Sequence, residues 1–287
     1  MIRLVNNVKT AVLLAALFGL FVWVGGMLGS QQGMILGAIF ATIANFGAFF
    51  FSDKIALASM RGQQVDARTA PDLYAMVGRL AERANLPMPK VYVCPQEAPN
   101  AFATGRSPRH AAVAVTQGAL RLLDERELEG VMAHELAHVK NRDTLISTIA
   151  ATIAGVFSML AQWALLFGGG LGGGNREGSN PLAGLLVILL GAVGAAIIKA
   201  MISRSREYVA DADGAAIAGS ADGLASALRK LDAVARRVPL QTRNPAMNNL
   251  FIVEPFVGRT LTQLFASHPP TASRIEALMT FQPEARR

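Results

Sequence analysis

The chain has 287 residues, a formal net charge of +7 and a mean hydropathy of +0.36, and only 16% of its residues are charged. An ordinary soluble domain carries about 25%, and the shortfall here is concentrated in long charge-free runs, which excludes such a domain as the whole answer. The single cysteine, Cys94, excludes an intrachain disulfide and fits a reducing compartment, while the positive charge sits beside the apolar runs, where anionic lipid accounts for it without any nucleic-acid motif.

Between Lys9 and Asp53 no side chain is charged, and the sequence Gly29, Ser30, Gln31, Gln32, Gly33 divides this run into halves. Each half is about long enough to cross a bilayer as a helix. Arg3 and Lys9 ahead of an apolar core also fit a cleaved signal peptide. The length of the run, the lack of a small-x-small cleavage site and the second span that follows at once favour an uncleaved anchor.

Residues 53–143 are more polar. Pro71, Asp72 and Leu73 open a helix whose apolar face is Leu73, Met76, Val77 and Leu80. After the break at Leu86, Pro87, Met88 and Pro89, a strand is predicted at Lys90, Val91, Tyr92 and Val93 and another over residues 111–116, together forming a small sheet. Asp124, Glu125, Arg126 and Glu127 then read as a capping box that starts a helix carrying Leu128, Val131 and Met132 at helical spacing.

That helix contains His134, Glu135, Leu136, Ala137 and His138. Positions i and i+4 lie one turn apart on one face, so both imidazoles reach the same metal ion, and Glu135 projects beside its open side. This is the His-Glu-x-x-His arrangement of zinc-dependent peptide hydrolysis. A core helix with two incidental histidines is the plain alternative.

Two further charge-free runs, residues 144–175 and 178–198, are separated by Arg176 and Glu177 just after the Gly-rich residues 168–174. They read as a second membrane hairpin, with a buried helical hairpin of a soluble domain as the alternative. Arg3, Lys9, Lys54 and Arg61 flank the first hairpin and Lys140, Arg142, Lys199, Arg204 and Arg206 the second, so the positive-inside rule puts these flanks and the His-Glu-x-x-His helix in the cytoplasm. The expected organisation is a transmembrane hairpin at 1–52, the first part of a catalytic domain at 53–143, a second transmembrane hairpin at 144–198 and the rest of the catalytic domain at 199–287.

A catalytic zinc usually has three protein ligands. The metzincin pattern would require glycine at 141 and a ligand at 144, where this chain has Asn141 and Thr144. The other histidines are His110 and His268, so a carboxylate on a later helix is the natural candidate. Glu207 and Asp211 stand four residues apart on one helical face: Glu207 as third ligand, Asp211 as acceptor for the N–H of a ligand histidine. Pairing of Glu207 with Arg204 or Arg206 on a solvated face is the other reading.

Taken together, His134 to His138, the run Ser203, Arg204, Ser205, Arg206, Glu207, Tyr208, Val209, Ala210, Asp211, and His268, Pro269, Pro270 followed by Arg274 and Ile275 resemble the HtpX group of membrane-bound zinc metallopeptidases, in peptidase family M48. Asn100, Ala101, Phe102, Ala103, Thr104 and Gly105 and the leading hydrophobic spans share in the resemblance, which extends over nearly the whole chain. It implies a mainly α membrane protein with helical hairpins and a gluzincin-like α+β catalytic domain containing a small sheet. It implies one zinc per chain held by His134, His138 and Glu207, with Glu135 as general base and Asp211 behind a ligand. His268 and Arg274 match a histidine and an arginine that lie close to the site, and residues 100–105 match a segment at the substrate cleft, where a polypeptide is bound as an added strand. The activity implied is a multi-pass bacterial inner-membrane endopeptidase, catalytic side in the cytoplasm, that removes misfolded membrane proteins under stress.

Three rival functions are weighed against it. An intramembrane site-2-type protease would carry the motif inside a span, but Glu125, Glu127, Glu129, Lys140 and Asp143 bracket it with charge. A non-catalytic zinc scaffold has no use for Glu135. A transporter lacks a relay, since the spans hold no charged residue.

Overall fold

The computed structural model describes residues 2–147, 149, 204–235 and 269–280. Most of the hydrophobic hairpin expected at 144–198, and His268, lie outside these residues. Helix α1, Ile2–Ser59, consists of two arms that contain the candidate membrane spans Val8–Gly26 and Ser30–Ser59, and Ser30 takes a left-handed φ of 56° between them. The arms run antiparallel: Phe21 meets Phe40 edge-on at 4.9 Å, and the Asn45 amide donates to the carbonyl of Leu14 at 2.9 Å. At the closed end Gly25 and Gly33 touch backbone to backbone, and a Cβ on either would collide with the carbonyl of the other. Trp23, Ile35, Leu36, Ile39, Ile43 and Phe46 point outward and are exposed, the reverse of a soluble hairpin. The second arm continues through Asp53 and Lys54 to Ser59, beyond the boundary expected at 52.

A mixed sheet follows. Strands β1 (Gln63–Val65), β2 (Lys90–Cys94), β3 (Ala101–Thr104) and β4 (Ala112–Thr116) lie in the order β1-β2-β4-β3, with β2 and β4 parallel and the outer pairs antiparallel. The predicted strands are β2 and β4; β1 and β3 are additions. Their sequences, Gln-Gln-Val and Ala-Phe-Ala-Thr, are too short to show an alternation that distinguishes strand from loop. In β4 every residue is buried because both faces of the sheet are covered. Val113 and Val115, with Val91 of β2, face the helical core, whereas Ala112 and Ala114, with Cys94 and Phe102, pack on Ala56, Leu57 and Met60 at the end of α1. The sheet is therefore the layer between the apolar hairpin and the helices of the site.

Helix α2 (Pro71–Arg83) starts with proline at its first position and buries Leu73, Met76, Val77 and Leu80 as predicted. A short helix α3 (Gln117–Leu122) leads into α4 (Glu125–Asn141), which carries the His-Glu-x-x-His residues and buries most of its length. Helices α5 (Arg204–Ala218), α6 (Asp222–Ala235) and α7 (Thr271–Met279) complete the described core. The capping box of α4 is present: the Asp124 carboxylate accepts from Glu127 N–H and the Glu127 carboxylate from Asp124 N–H, each at 2.9 Å. Glu127 also accepts from Ser226 Oγ and Lys230 Nζ of α6, each at 2.6 Å, so one carboxylate caps α4 and ties it to α6.

Burial alone would raise the Glu127 carboxyl, but the hydrogen bonds from Lys230, Ser226 and Asp124 outweigh it and hold its pKa below the ordinary value. A group depressed in the folded state contributes stability that is present above its unfolded pKa and is lost as pH falls through the folded one. Glu127→Gln is thus expected to lower stability by about 1–2 kcal/mol near neutral pH. In detergent-solubilised protein followed by thermal unfolding, the difference from the parent should shrink steadily once the pH falls below about 4.

Candidate active site

Helix α4 brings its two histidines to one point. The rings meet edge-on with centroids 4.7 Å apart, and the two Nε2 atoms are 3.2 Å apart. Glu207 of α5 closes the group, its carboxylate oxygens 3.8 Å from His134 Nε2 and 3.6 Å from His138 Nε2. One ligand atom from each of His134, His138 and Glu207 lies within 4.8 Å of the others. His134 is only 1% exposed, whereas the side chain of His138 is 16% exposed, which gives the cluster one accessible side.

The far nitrogen of each ring faces a carboxylate. His134 Nδ1 is 3.0 Å from Asp211 Oδ1. His138 Nδ1 is 3.3 Å from Asp143 Oδ2. With both Nδ1 atoms donating, both Nε2 atoms present lone pairs to one another and to the Glu207 carboxylate. Such a donor set is repulsive by itself and fits a cation. With neutral imidazoles, the carboxylates of Glu135, Glu207, Asp211 and Asp143 are balanced, among the described residues, by the guanidiniums of Arg274 and Arg206, a deficit that a divalent ion makes good.

Proton affinities report the same excess of negative charge. Burial raises the Glu135 carboxyl above its ordinary value despite the neighbouring histidines, with Glu207 adding to the rise. Burial pulls the His138 imidazole down, but Asp143, Glu207 and Glu135 outweigh it and leave it pushed up to about 9. Glu135 also reaches across to the sheet, its Oε2 accepting the Ala103 N–H at 2.7 Å. In the antiparallel register Phe102 and Ala103 stand opposite Ala114 and Val113, and the Thr116 N–H donates to the Asn100 carbonyl while the Asn100 N–H donates to Thr116 Oγ1. Alternation along the strand then turns the Ala103 N–H away from β4 and toward the site.

The Peptidase family M48 model matches residues 67–282. The chain belongs to peptidase family M48. It is 50% identical over 276 residues to a "Protease HtpX homolog" of Desulforapulum autotrophicum, covering 95% of this chain and 89% of that one. It is 51% identical over 281 residues to the same-named protein of Methylibium petroleiphilum, covering 97% of this chain and 99% of that one. The crystal structure of S. mikatae Ste24p superposes with a TM-score of 0.48 at 18% identity, over 96% of this chain and 66% of that one. As an M48 peptidase of this kind the protein is a membrane metalloprotease, a family that implies a divalent metal, and His134, His138 and Glu207 are grouped to hold one.

The other site residues anticipated from the M48 resemblance divide by position. Asp211 lies beside the far nitrogen of His134, Oδ1 to Nδ1 at 3.0 Å. Arg274 is 1% exposed and grips Asp211 with two hydrogen bonds, Nε to Oδ2 at 2.9 Å and Nη2 to Oδ1 at 2.7 Å, while Nη1 lies 3.6 Å from Glu207 and Nη2 3.5 Å from His134 Nε2. Its charge is thus directed at the ligand supports. In the 100–105 segment Ala103 meets Glu135, Phe102 turns to the hairpin side of the sheet, and Gly105 accepts from Thr144 Oγ1 at 3.0 Å. His110 bonds Ser107 on the connection between β3 and β4 and is not among the grouped ligands.

Two contributors went unread in the sequence. Asp143 lies five residues after His138, off the helical period that the ligand search followed. Gly214 packs against the His134 backbone, where an added Cβ would come within 2.8 Å of the His134 Cα. It shares the inward face of α5 with Glu207 and Asp211, at i+7 and i+3, and the spacing of a small residue from two acidic ones was the available signal. Replacing Gly214 by Val should push α5 from α4 and lower bound zinc well below one per chain, measured by elemental analysis of the purified protein, although no ligand is changed. Removal of Arg274 as Arg274→Ala leaves Asp211 buried beside Glu207 without its cation and should cost about 3–5 kcal/mol in unfolding experiments.

Proposed function

We propose that this protein is a zinc endopeptidase that cleaves polypeptide segments, among them those of misfolded membrane proteins, at the cytoplasmic face of a bacterial inner membrane. The observation that carries this reading is the convergence of two imidazole nitrogens and a carboxylate with Glu135 beside them and His138 on the open side. Bound by His134, His138 and Glu207, zinc supplies Lewis acidity toward the scissile carbonyl and the attacking water.

The chain's own residues do the rest. Glu135 takes the proton of the attacking water, and its raised pKa suits it to hold that proton and deliver it to the leaving amine. Asp211 keeps the His134 Nδ1 proton in place, so the ring presents Nε2 inward. Arg274 acts on the site through Asp211 and Glu207, which supports a positioning role rather than direct contact with the oxyanion. His268, carried over from the family resemblance, is the proposed donor to that oxyanion. The position of β3 as the outer strand of the sheet, with its far edge turned toward the site, supports docking of an extended substrate along residues 100–105 by backbone hydrogen bonds, which read little side-chain identity.

Cytoplasmic orientation rests on Arg3, Lys9, Lys54 and Arg61 flanking the hairpin. An intramembrane site is disfavoured because α4 packs on the sheet and on α2, α5 and α6, and carries Glu125, Glu129 and Lys140 at its ends. A purely structural metal is disfavoured by Glu135, which serves no fold-closing purpose there.

Casein cleavage by the purified protein in detergent tests the mechanism. Glu135→Gln is expected to retain zinc and lose about 100-fold or more in rate, and Glu207→Ala to lose zinc itself. Undiminished cleavage by a zinc-loaded Glu135→Gln protein would sink the general-base assignment, and full zinc content in Glu207→Ala would sink the ligand.

A further inference from the structure

We propose that Asp143, braced by Arg206, orients His138 for metal binding, so that each ligand histidine has its own carboxylate and each carboxylate its own arginine. The inference rests on the metal-site reading above and extends it to a residue outside both the His-Glu-x-x-His and the Glu-x-x-x-Asp patterns.

The backbone is built for this contact. At about 100° per residue, a continuing helix would carry position i+5 about 140° around the axis from His138, on the wrong side of α4. The helix instead ends at Asn141, and Arg142 takes a left-handed φ of 59° while its N–H caps the Val139 carbonyl at 3.2 Å. The chain then resumes helix at residue 143, with Asp143 turned back beneath His138 and 4% exposed. Thr144 fixes the new direction through its bond to the Gly105 carbonyl at 3.0 Å. A bulky residue in the left-handed region carries a conformational cost, and the burial of Asp143 against His138 is what this turn achieves.

The chemistry matches the other half of the site. His138 Nδ1 faces Asp143 Oδ2 at 3.3 Å as His134 Nδ1 faces Asp211 Oδ1 at 3.0 Å. A carboxylate accepts but does not donate, so it selects the tautomer with the proton on Nδ1 and the lone pair on Nε2, the atom that faces Glu207 and His134. Arg206 Nη1 lies 4.0 Å from Asp143 Oδ1, and Arg274 grips Asp211. Arg206 immediately precedes Glu207, so the docking of α5 delivers the third ligand and the brace for Asp143 together.

Zinc affinity of the full chain in detergent, measured by competition with a chromophoric chelator, tests this without reference to activity. Asp143→Ala and Asp143→Asn are each expected to weaken zinc binding about 10–100-fold. The asparagine is informative because its amide can donate to Nδ1 and so favour the tautomer that blocks Nε2. Asp143→Glu should recover part of the loss, and the visible spectrum of the cobalt(II)-loaded Asn variant should differ from that of the parent. Asp213→Asn is the control for a merely structural role: Asp213 accepts from Asn141 at 2.8 Å across the same α4 and α5 junction, so its loss should lower thermal stability and leave zinc affinity unchanged. Parent-like affinity in both the Ala and Asn variants of Asp143, or an equal loss in Asp213→Asn, overturns the proposal while leaving the three-ligand site intact. A parent protein that binds no zinc overturns both.

Discussion

The close contact between α4 and α5 is the constraint on which the rest of the site depends. Gly214 lets the backbone of α5 rest against that of His134, and at that distance side chains of modest length on both helices reach a common point. The ligand set is split between segments far apart in the chain, so a displacement of one helix by the thickness of a methyl group disperses it. Similar economy holds where Gly130 meets Leu224 and Gly223 meets Arg126. Helix α4 is thus gripped on two sides by neighbours that approach to backbone contact, and its histidines inherit that rigidity.

Such a site is electrostatically expensive when empty of cation. Carboxylates from α4, α5 and Asp143, two residues past the end of α4, are withdrawn from water together, and burial of like charges is tolerated only with close counter-ions. The two guanidiniums supply part of the compensation, each from within hydrogen-bonding or ion-pair distance of a carboxylate that faces a histidine. Arg206 stands behind the ligands, whereas Arg274 also comes within 3.6 Å of Glu207 and 3.5 Å of His134 Nε2, so one of the two cations reaches the ligand atoms themselves.

Much of this was legible in the sequence because it followed a period. The apolar face of α2, the capping box at Asp124 and Glu127, and the i, i+4 pairs His134 with His138 and Glu207 with Asp211 all fall at helical spacing, and α1 announced itself by an unbroken charge-free run. What escaped did not. Asp143 reaches His138 only because Arg142 breaks the helix, and no periodic pattern announces a left-handed residue that is neither glycine nor asparagine. The strands β1 and β3 are too short to alternate. Arg274 was associated with the site by resemblance, but its grip on Asp211 is a tertiary fact between helices remote in sequence. The partition of the sheet was present in the Val and Ala alternation of β4, yet its meaning required knowing that the small-residue face receives the end of a membrane helix.

That last contact has a mechanical consequence. Ala56, Leu57 and Met60 at the base of the hairpin are packed directly into the sheet, and Arg106 on the strand connection lies 5.6 Å from the ring centre of Phe50 within the apolar arm. Anchor and cutting head are joined by a solid seam instead of a tether. A tethered protease sweeps a volume set by its linker, whereas a head seamed to its hairpin in this way would, with the hairpin in a bilayer as proposed above, be held at a fixed height above the lipid. On the function proposed above, selection of what is cut then becomes a matter of geometry: a chain is accessible when it strays into that narrow shelf beside the bilayer, whatever its sequence.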